Sequence, residues 1–179
     1  MVPEAPLERT DDGVVPAGDG WFVLNGRDAR WRWAEGRSAY CDFEGDAEFE
    51  QVGIGICVLA PGETMAMYHW EADQEDFLVV QGEAVLVVEG EERALAQWDL
   101  VHCPPGTKHV IVGAGSGPCI VVAVGARQHQ DGPDWGGYTV DEVARRYGAS
   151  VSAETNEPEV AYSTLTRRQP VRYRDGWLP

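Results

Sequence analysis

From residue 21 to residue 127 the chain is a succession of short apolar runs, rich in Val, Ile, Phe, Trp and Tyr and broken by Gly and Pro. The runs fall at 21–24, 29–34, 38–43, 52–60, 65–70, 76–81, 84–90, 92–96, 99–103, 109–113 and 119–125. Short strands at such spacing with turn residues between them predict an all-β sandwich or barrel. The pair AVLVVEG and EERALA predicts a hairpin turning at Glu89-Gly90-Glu91. Between Asp42 and Glu50 acids alternate with Phe43 and Phe49, which predicts a strand with a solvated acidic face, interrupted at Gly45.

Outside this region the texture changes. Residues 1–19 carry three prolines, several acids and few large apolar side chains, and read as a flexible N-terminal arm. Residues 20–127 form the predicted barrel, and 128–179 a C-terminal extension. Within the extension, QHQDGPDWGG reads as a loop. Thr139 and Glu142 read as a capping box opening a helix near 140–147, the only long one expected. Its apolar face would be Val140, Val143 and Tyr147, packed on the outside of the barrel. The segment after it is polar with scattered aromatics, either disordered or docked on this subunit or a neighbour.

Composition narrows the class. Of 179 residues, 44% are hydrophobic and 25% charged, as in ordinary globular domains. Thirty acidic residues against fourteen basic ones give a net charge of −16, which repels phosphate backbones and anionic lipid. Nucleic acid and membrane are therefore not expected as partners. The start, MVPEAPLERTDDG, lacks the basic patch and apolar core of a signal peptide, so a cytoplasmic location is expected. Cys41, Cys57, Cys103 and Cys119 are far apart and form no C-x-x-C pair, which predicts reduced, buried thiols.

The residues suited to chemistry gather in two stretches. In PGETMAMYHWEADQEDFLVVQG (61–82), His69 and Glu71 stand two apart in a strand and so share a face, with Met65 and Met67 of the same parity. Glu75 opens the next strand and returns beside His69, with Phe77 and Val79 following on its face. In WDLVHCPPGTKHVIVG (98–113), His109 enters a strand after a Pro-Pro-Gly turn. Imidazole and carboxylate together suit first-row divalent metals, and two His with one carboxylate leave open positions for a substrate. Met65, Met67 and Phe77 would make an apolar pocket beside such a metal. His102, earlier in the second stretch, could support a ligand by hydrogen bond. His129 lies in the loop and is expected in solvent, and Cys103 is expected to be packed.

These two stretches resemble the two motifs of the cupin superfamily, G-x5-H-x-H-x3–4-E-x6-G and G-D-x4-P-x-G-x2-H-x3-N. Gly62, His69, Glu75 and Gly82 match the first, although six residues rather than five separate Gly62 from His69. Asp99, Pro104, Gly106 and His109 match the second. Glu71 stands where the first motif has its second His, and Trp98 and Gly113 replace the Gly and Asn of the second.

The resemblance implies a double-stranded β-helix (jelly-roll) barrel and one divalent transition metal, Fe, Mn, Ni or Zn, held by His69, Glu75 and His109. It makes Glu71 a possible fourth ligand. If not bound to metal, Glu71 would be a general base and the catalytic residue. The resemblance also implies a homodimer. The function expected is a small-molecule metalloenzyme of the oxygenase, isomerase or lyase type. The alternative is a non-catalytic module that binds or senses a metal-coordinated small molecule.

Overall fold

The computed structural model describes residues 1–130 and 132–179. Its strands are β1 (Leu7–Thr10), β2 (Gly13–Pro16), β3 (Arg30–Ala34), β4 (Arg37–Cys41), β5 (Val52–Leu59), β6 (His69–Glu71) and β7 (Glu75–Gln81). They continue with β8 (Glu83–Val88), β9 (Glu91–Ala96), β10 (Leu100–Cys103), β11 (His109–Ala114), β12 (Cys119–Ala126), β13 (Gly136–Tyr138) and β14 (Gln169–Arg172). Two four-residue helices, α1 (Glu142–Arg145) and α2 (Pro158–Ala161), lie between β13 and β14. No described helix is long and apolar enough to cross a membrane.

The strands form a seven-stranded sheet in the order β10-β7-β12-β5-β4-β3-β14 and a five-stranded sheet in the order β13-β6-β11-β8-β9. Side chains from both sheets meet in the main core, including Leu59, Phe77, Val79, Leu86, Ile111 and Val121. This is the all-β barrel that the strand spacing predicts, in the jelly-roll form that the resemblance implies. Alternation along β11 shows how the layers are built. Ile111 points into the core, while Val110 and Val112 point outward under Ala144 and Ala149 of the α1 region. A strand covered on both faces reads as an unbroken apolar run, as HVIVG does.

The hairpin at Glu89-Gly90 forms as predicted. Val88 pairs with Glu91, and the two turn residues have φ of 48° and 77°. Two positive φ values in a two-residue loop match the right-handed twist of the flanking strands. The departure at Gly113 has a steric cause. A Cβ there would lie 2.3 Å from the Ala60 carbonyl oxygen, so the motif's Asn does not fit.

Several expectations are corrected. Residues 7–16, expected within a flexible arm, form the β1–β2 hairpin with Val14 and Val15 buried. Residues 21–24 and 65–68 are not strand. The predicted strand through 42–50 is irregular: Phe43 takes φ 60°, and Glu44 turns inward to an ion pair of 2.6 Å with Arg127. The helix near 140–147 shrinks to α1, capped by Asp141 rather than Thr139, and α2 is a second helix. Val140 is exposed, whereas Val143 and Tyr147 do pack on the outer face of the five-stranded sheet. The predicted 128–137 loop includes residue 131, which lies outside the described residues, and it ends in β13.

The C-terminal segment docks on its own subunit. β14 pairs with β3 across Arg30–Trp33, covering that edge of the seven-stranded sheet. Tyr173 and Trp177 then close over the fully buried Trp31, with ring centroids 6.2 and 5.0 Å away. The indole N–H of Trp31 donates to the Gly26 carbonyl at 2.8 Å. Trp33, on the same strand, carries the Arg174 guanidinium 3.9 Å from its ring centroid.

Candidate metal centre

Three strands place the candidate ligands. His69 on β6 and His109 on β11 are direct cross-strand partners in the five-stranded sheet. Glu75 opens β7 in the other sheet, one short turn after β6. The trio therefore bridges the two walls of the barrel, and one donor atom from each residue lies within 4.8 Å of the other two. Among the described residues no other such group of histidine, cysteine and carboxylate side chains occurs.

The imidazoles are preset. Nδ1 of His69 is 2.8 Å from the Met67 carbonyl, and Nδ1 of His109 is 3.0 Å from the Thr107 carbonyl. A carbonyl oxygen can only accept, so each Nδ1 carries the proton and each Nε2 presents a lone pair. Both Nε2 atoms face Glu75 Oε2, at 3.9 Å from His69 and 3.4 Å from His109. Atoms about 2.1 Å from a shared ion at tetrahedral or octahedral angles stand about 3.0–3.4 Å apart, close to this spacing. His109 Nε2 is buried and has no hydrogen-bond partner among the described residues. Such an orphaned acceptor costs free energy unless something fills its lone pair, and a cation does so. The donor set fits a divalent transition metal.

The electrostatics agree. Burial, together with the nearby charge of His69, pushes His109 down to about 4, so it stands ready as a neutral ligand. Burial also works to lower His69, but the adjoining Glu71 and Glu75 carboxylates outweigh it and raise the value. Glu75 is pushed up to about 7, first by burial and then by the charge of Glu71, against the opposing pull of His69. Burial and crowded charge thus shift His69, Glu75 and His109 together, as functional sites do.

Glu71 stands beside the trio rather than in it. Its Oε1 is 3.6 Å from His69 Nε2, and its side chain is partly exposed. It lines a cavity of about 290 Å3 at the barrel mouth together with Asp73, Glu75, Tyr40, Arg127 and Trp135. Arg127, though basic, is spent on Glu44 and donates to the Phe49 carbonyl at 2.9 Å. The mouth is thus acidic and polar, not the apolar pocket expected from Met65, Met67 and Phe77. Phe77 does sit against His109, with centroids 5.2 Å apart, and Met65 packs on the barrel core. Met67 leaves for a separate cluster with Tyr138, Val151 and Ala161, because residues 65–68 bend and break the strand parity.

Of the remaining candidates, His102 does not support the site. It pairs with Asp76 at 2.7 Å on the outer face of β10 and β7, half-exposed. His129 is half-exposed too, bound to Asp73 at 2.7 Å. Cys103 is buried. Sequence reasoning missed Arg127, Asp73 and Tyr40, which shape the mouth from loops and from strands far apart in the chain. Tyr138 was also missed; its ring centroid is 5.9 Å from that of His69.

Comparison with known proteins gives the family. A Cupin domain family model matches residues 55–125. The structure is similar to the polyketide cyclase RemF from Streptomyces resistomycificus, at 13% identity and a TM-score of 0.50, over 59% of this chain and 80% of that one. That likeness concerns the fold alone. A sugar phosphate isomerase from Silicibacter pomeroyi is similar at 27% identity and a TM-score of 0.45, over 60% of this chain and 68% of that one. The match to a chain from Acidithiobacillus ferrooxidans (25% identity, TM-score 0.46) spans 50% of this chain and 59% of that one. No curated protein matches the sequence. Strand order, both motifs and the family model agree, and the chain carries a cupin domain.

Proposed function

We propose that this cupin is a metal-dependent enzyme acting on a small polar molecule that enters through the acidic mouth. His69, Glu75 and His109 hold the ion. The observation that carries this is His109 Nε2, a buried lone pair with no hydrogen-bond partner among the described residues, turned toward the largely buried Glu75 carboxylate. A divalent ion there supplies Lewis acidity, polarising an oxygen of the bound molecule.

This chain's own residues do the rest. Glu71 reaches the cavity from the same face as His69 and is the carboxylate placed to take a proton from the bound molecule. Its position beside the trio, partly in solvent, favours the base over the fourth-ligand role, and with it an isomerase or lyase type over an oxygenase. Asp73 and Glu75 add negative charge to the lining, and Glu44 neutralises Arg127. A neutral or cationic group is therefore favoured in the mouth over a phosphate ester. As partner we infer a second copy of the chain, since Trp98 and Leu100 stand exposed at the open β10 edge of the seven-stranded sheet. Light scattering at micromolar concentration tests that, and a 19.6 kDa particle refutes it.

The deciding experiment is metal analysis by mass spectrometry on untagged protein, with single variants. One ion per chain is expected, lost on His69→Ala, Glu75→Ala or His109→Ala. Glu71→Gln should keep the ion while turnover of diketones, sugars or hydroxy acids collapses. Loss of the ion in Glu71→Gln would make Glu71 a ligand instead. A fully metallated protein that turns over none of these substrates would favour a binding module.

A further inference from the structure

A second cavity, of about 420 Å3, has the opposite charge. It is lined by Arg32, Arg37, Arg167 and Arg168 with Tyr40, Tyr162, Leu165 and Glu159. Four of the thirteen arginines of a chain with net charge −16 meet there, brought from β3, β4 and the segment before β14. The local balance is left open. Arg32 pairs with Asp42 at 3.4 Å, and Glu159 is the one carboxylate in the lining, which leaves two positive charges in excess.

Two of these arginines, Arg37 and Arg168, are held in place by groups that do not neutralise them. Arg168 donates from Nε to the Ser38 carbonyl at 2.9 Å, and from its terminal nitrogen to Ser38 Oγ at 2.5 Å and the Met65 carbonyl at 3.2 Å. Arg37 donates to the Thr166 carbonyl at 3.2 Å and lies over the Tyr162 ring, 5.0 Å from its centroid. Neither has a carboxylate partner among the described residues. The Arg167 guanidinium makes no hydrogen bond or ion pair among them. Burial and the neighbouring charge of Arg168 hold Arg37 below the ordinary arginine value, so the two cations press on each other.

A guanidinium fork matches the geometry of phosphate and carboxylate oxygens, and four arginines line this one cavity. We propose that this cavity binds a small oxyanion, a phosphate or carboxylate group carried on a small molecule whose body rests on Tyr162 and Leu165. It is distinct in lining and charge from the mouth, with which it shares the Tyr40 ring as a wall. The body is held by aromatic and aliphatic surface, and the charge by Arg37, Arg167 and Arg168.

Calorimetric titration of the metal-loaded protein at constant ionic strength, with inorganic phosphate and separately with benzoate, tests this. Saturable one-to-one binding of either is expected. Tighter phosphate binding identifies a phosphoryl group, and tighter benzoate binding an aromatic carboxylate. Losing one charged hydrogen-bond donor should weaken binding about 10-fold or more, so Arg37→Gln and Arg167→Gln should each do so. Arg93→Gln removes an exposed arginine that pairs with Glu91 on β9, and should change nothing. Arg167→Gln disturbs no hydrogen bond of the fold, so its result stands even if Arg37→Gln folds poorly. All three variants should keep their metal, which separates this site from the metal reading. No saturable binding of either probe overturns the proposal. So does binding that Arg37→Gln and Arg167→Gln leave intact.

Discussion

The metal end of the barrel and the aromatic cap around Trp31 both bury polar atoms, and those atoms have opposite fates. In the cap every buried polar atom of Trp31 is paired: its indole donates to Gly26, and Tyr173 and Trp177 seal it. At the metal end a fully buried histidine nitrogen has no hydrogen-bond partner among the described residues, and a carboxylate with a raised pKa faces it. One region is satisfied by the chain alone and serves stability. The other is satisfied only by something added, and unsatisfied polarity at that depth is the signature of a site.

Substitution should separate the two. His109→Ala should remove stoichiometric metal entirely, because two remaining ligands hold a labile divalent ion poorly. It should cost the metal-free fold less than Trp31→Ala does, because the ring removed is smaller, although its Nδ1 bond to Thr107 and its packing on Phe77 are lost. Metal titration with thermal unfolding of the same samples checks both halves. Trp31→Ala should do the reverse, costing about 3–5 kcal/mol of stability through the cavity it leaves. The refolded fraction should still bind one ion. A variant that lost both properties at either position would end the distinction.

Chelation sharpens the comparison. An ion at one hundred times its dissociation constant stabilises the native state by about 2.7 kcal/mol, so stripping it should lower the melting temperature accordingly. The loss should be absent in His109→Ala and present in variants of the cap. Acidification should act in the same direction. Protons compete for the imidazole lone pairs, and Glu75 takes a proton below about 7, so metal affinity should fall as pH drops through that range. Metal titrations between pH 8 and pH 5 check this; affinity that rises on acidification would contradict the ligand set.

Two smaller effects probe the packed part. Burial pushes the Cys41, Cys57 and Cys103 thiols up to about 12 and Cys119 to about 11. A thiol reagent at pH 8 should therefore label none of them until the protein unfolds. At Trp98, where the second motif has Gly, the backbone holds φ 78° with the side chain 68% exposed. In the isolated chain, at concentrations too low for pairing, Trp98→Gly should raise stability by up to about 1 kcal/mol in chemical denaturation, since glycine carries no penalty in that conformation.

The sequence by itself determined the β class, the hairpin at Glu89-Gly90, the two motifs and the inward parity of Glu75, Phe77 and Val79. These are local facts: strand alternation has a period of two, and a tight turn announces itself in its residues. It also nominated His69, Glu75 and His109. Where the alternating pattern breaks, the reading failed, as at Met67 after the bend and at Glu44 beyond the left-handed Phe43. Tertiary structure alone decided that Glu44 neutralises Arg127, that His102 faces outward to Asp76, and that the C-terminal strand covers β3. Only there, too, do Arg37 and Arg168 come to share a cavity, 131 positions apart in the chain. Pairings across such separations depend on sheet order and loop paths, which arise from the packing of the whole barrel and leave no periodic trace along the chain.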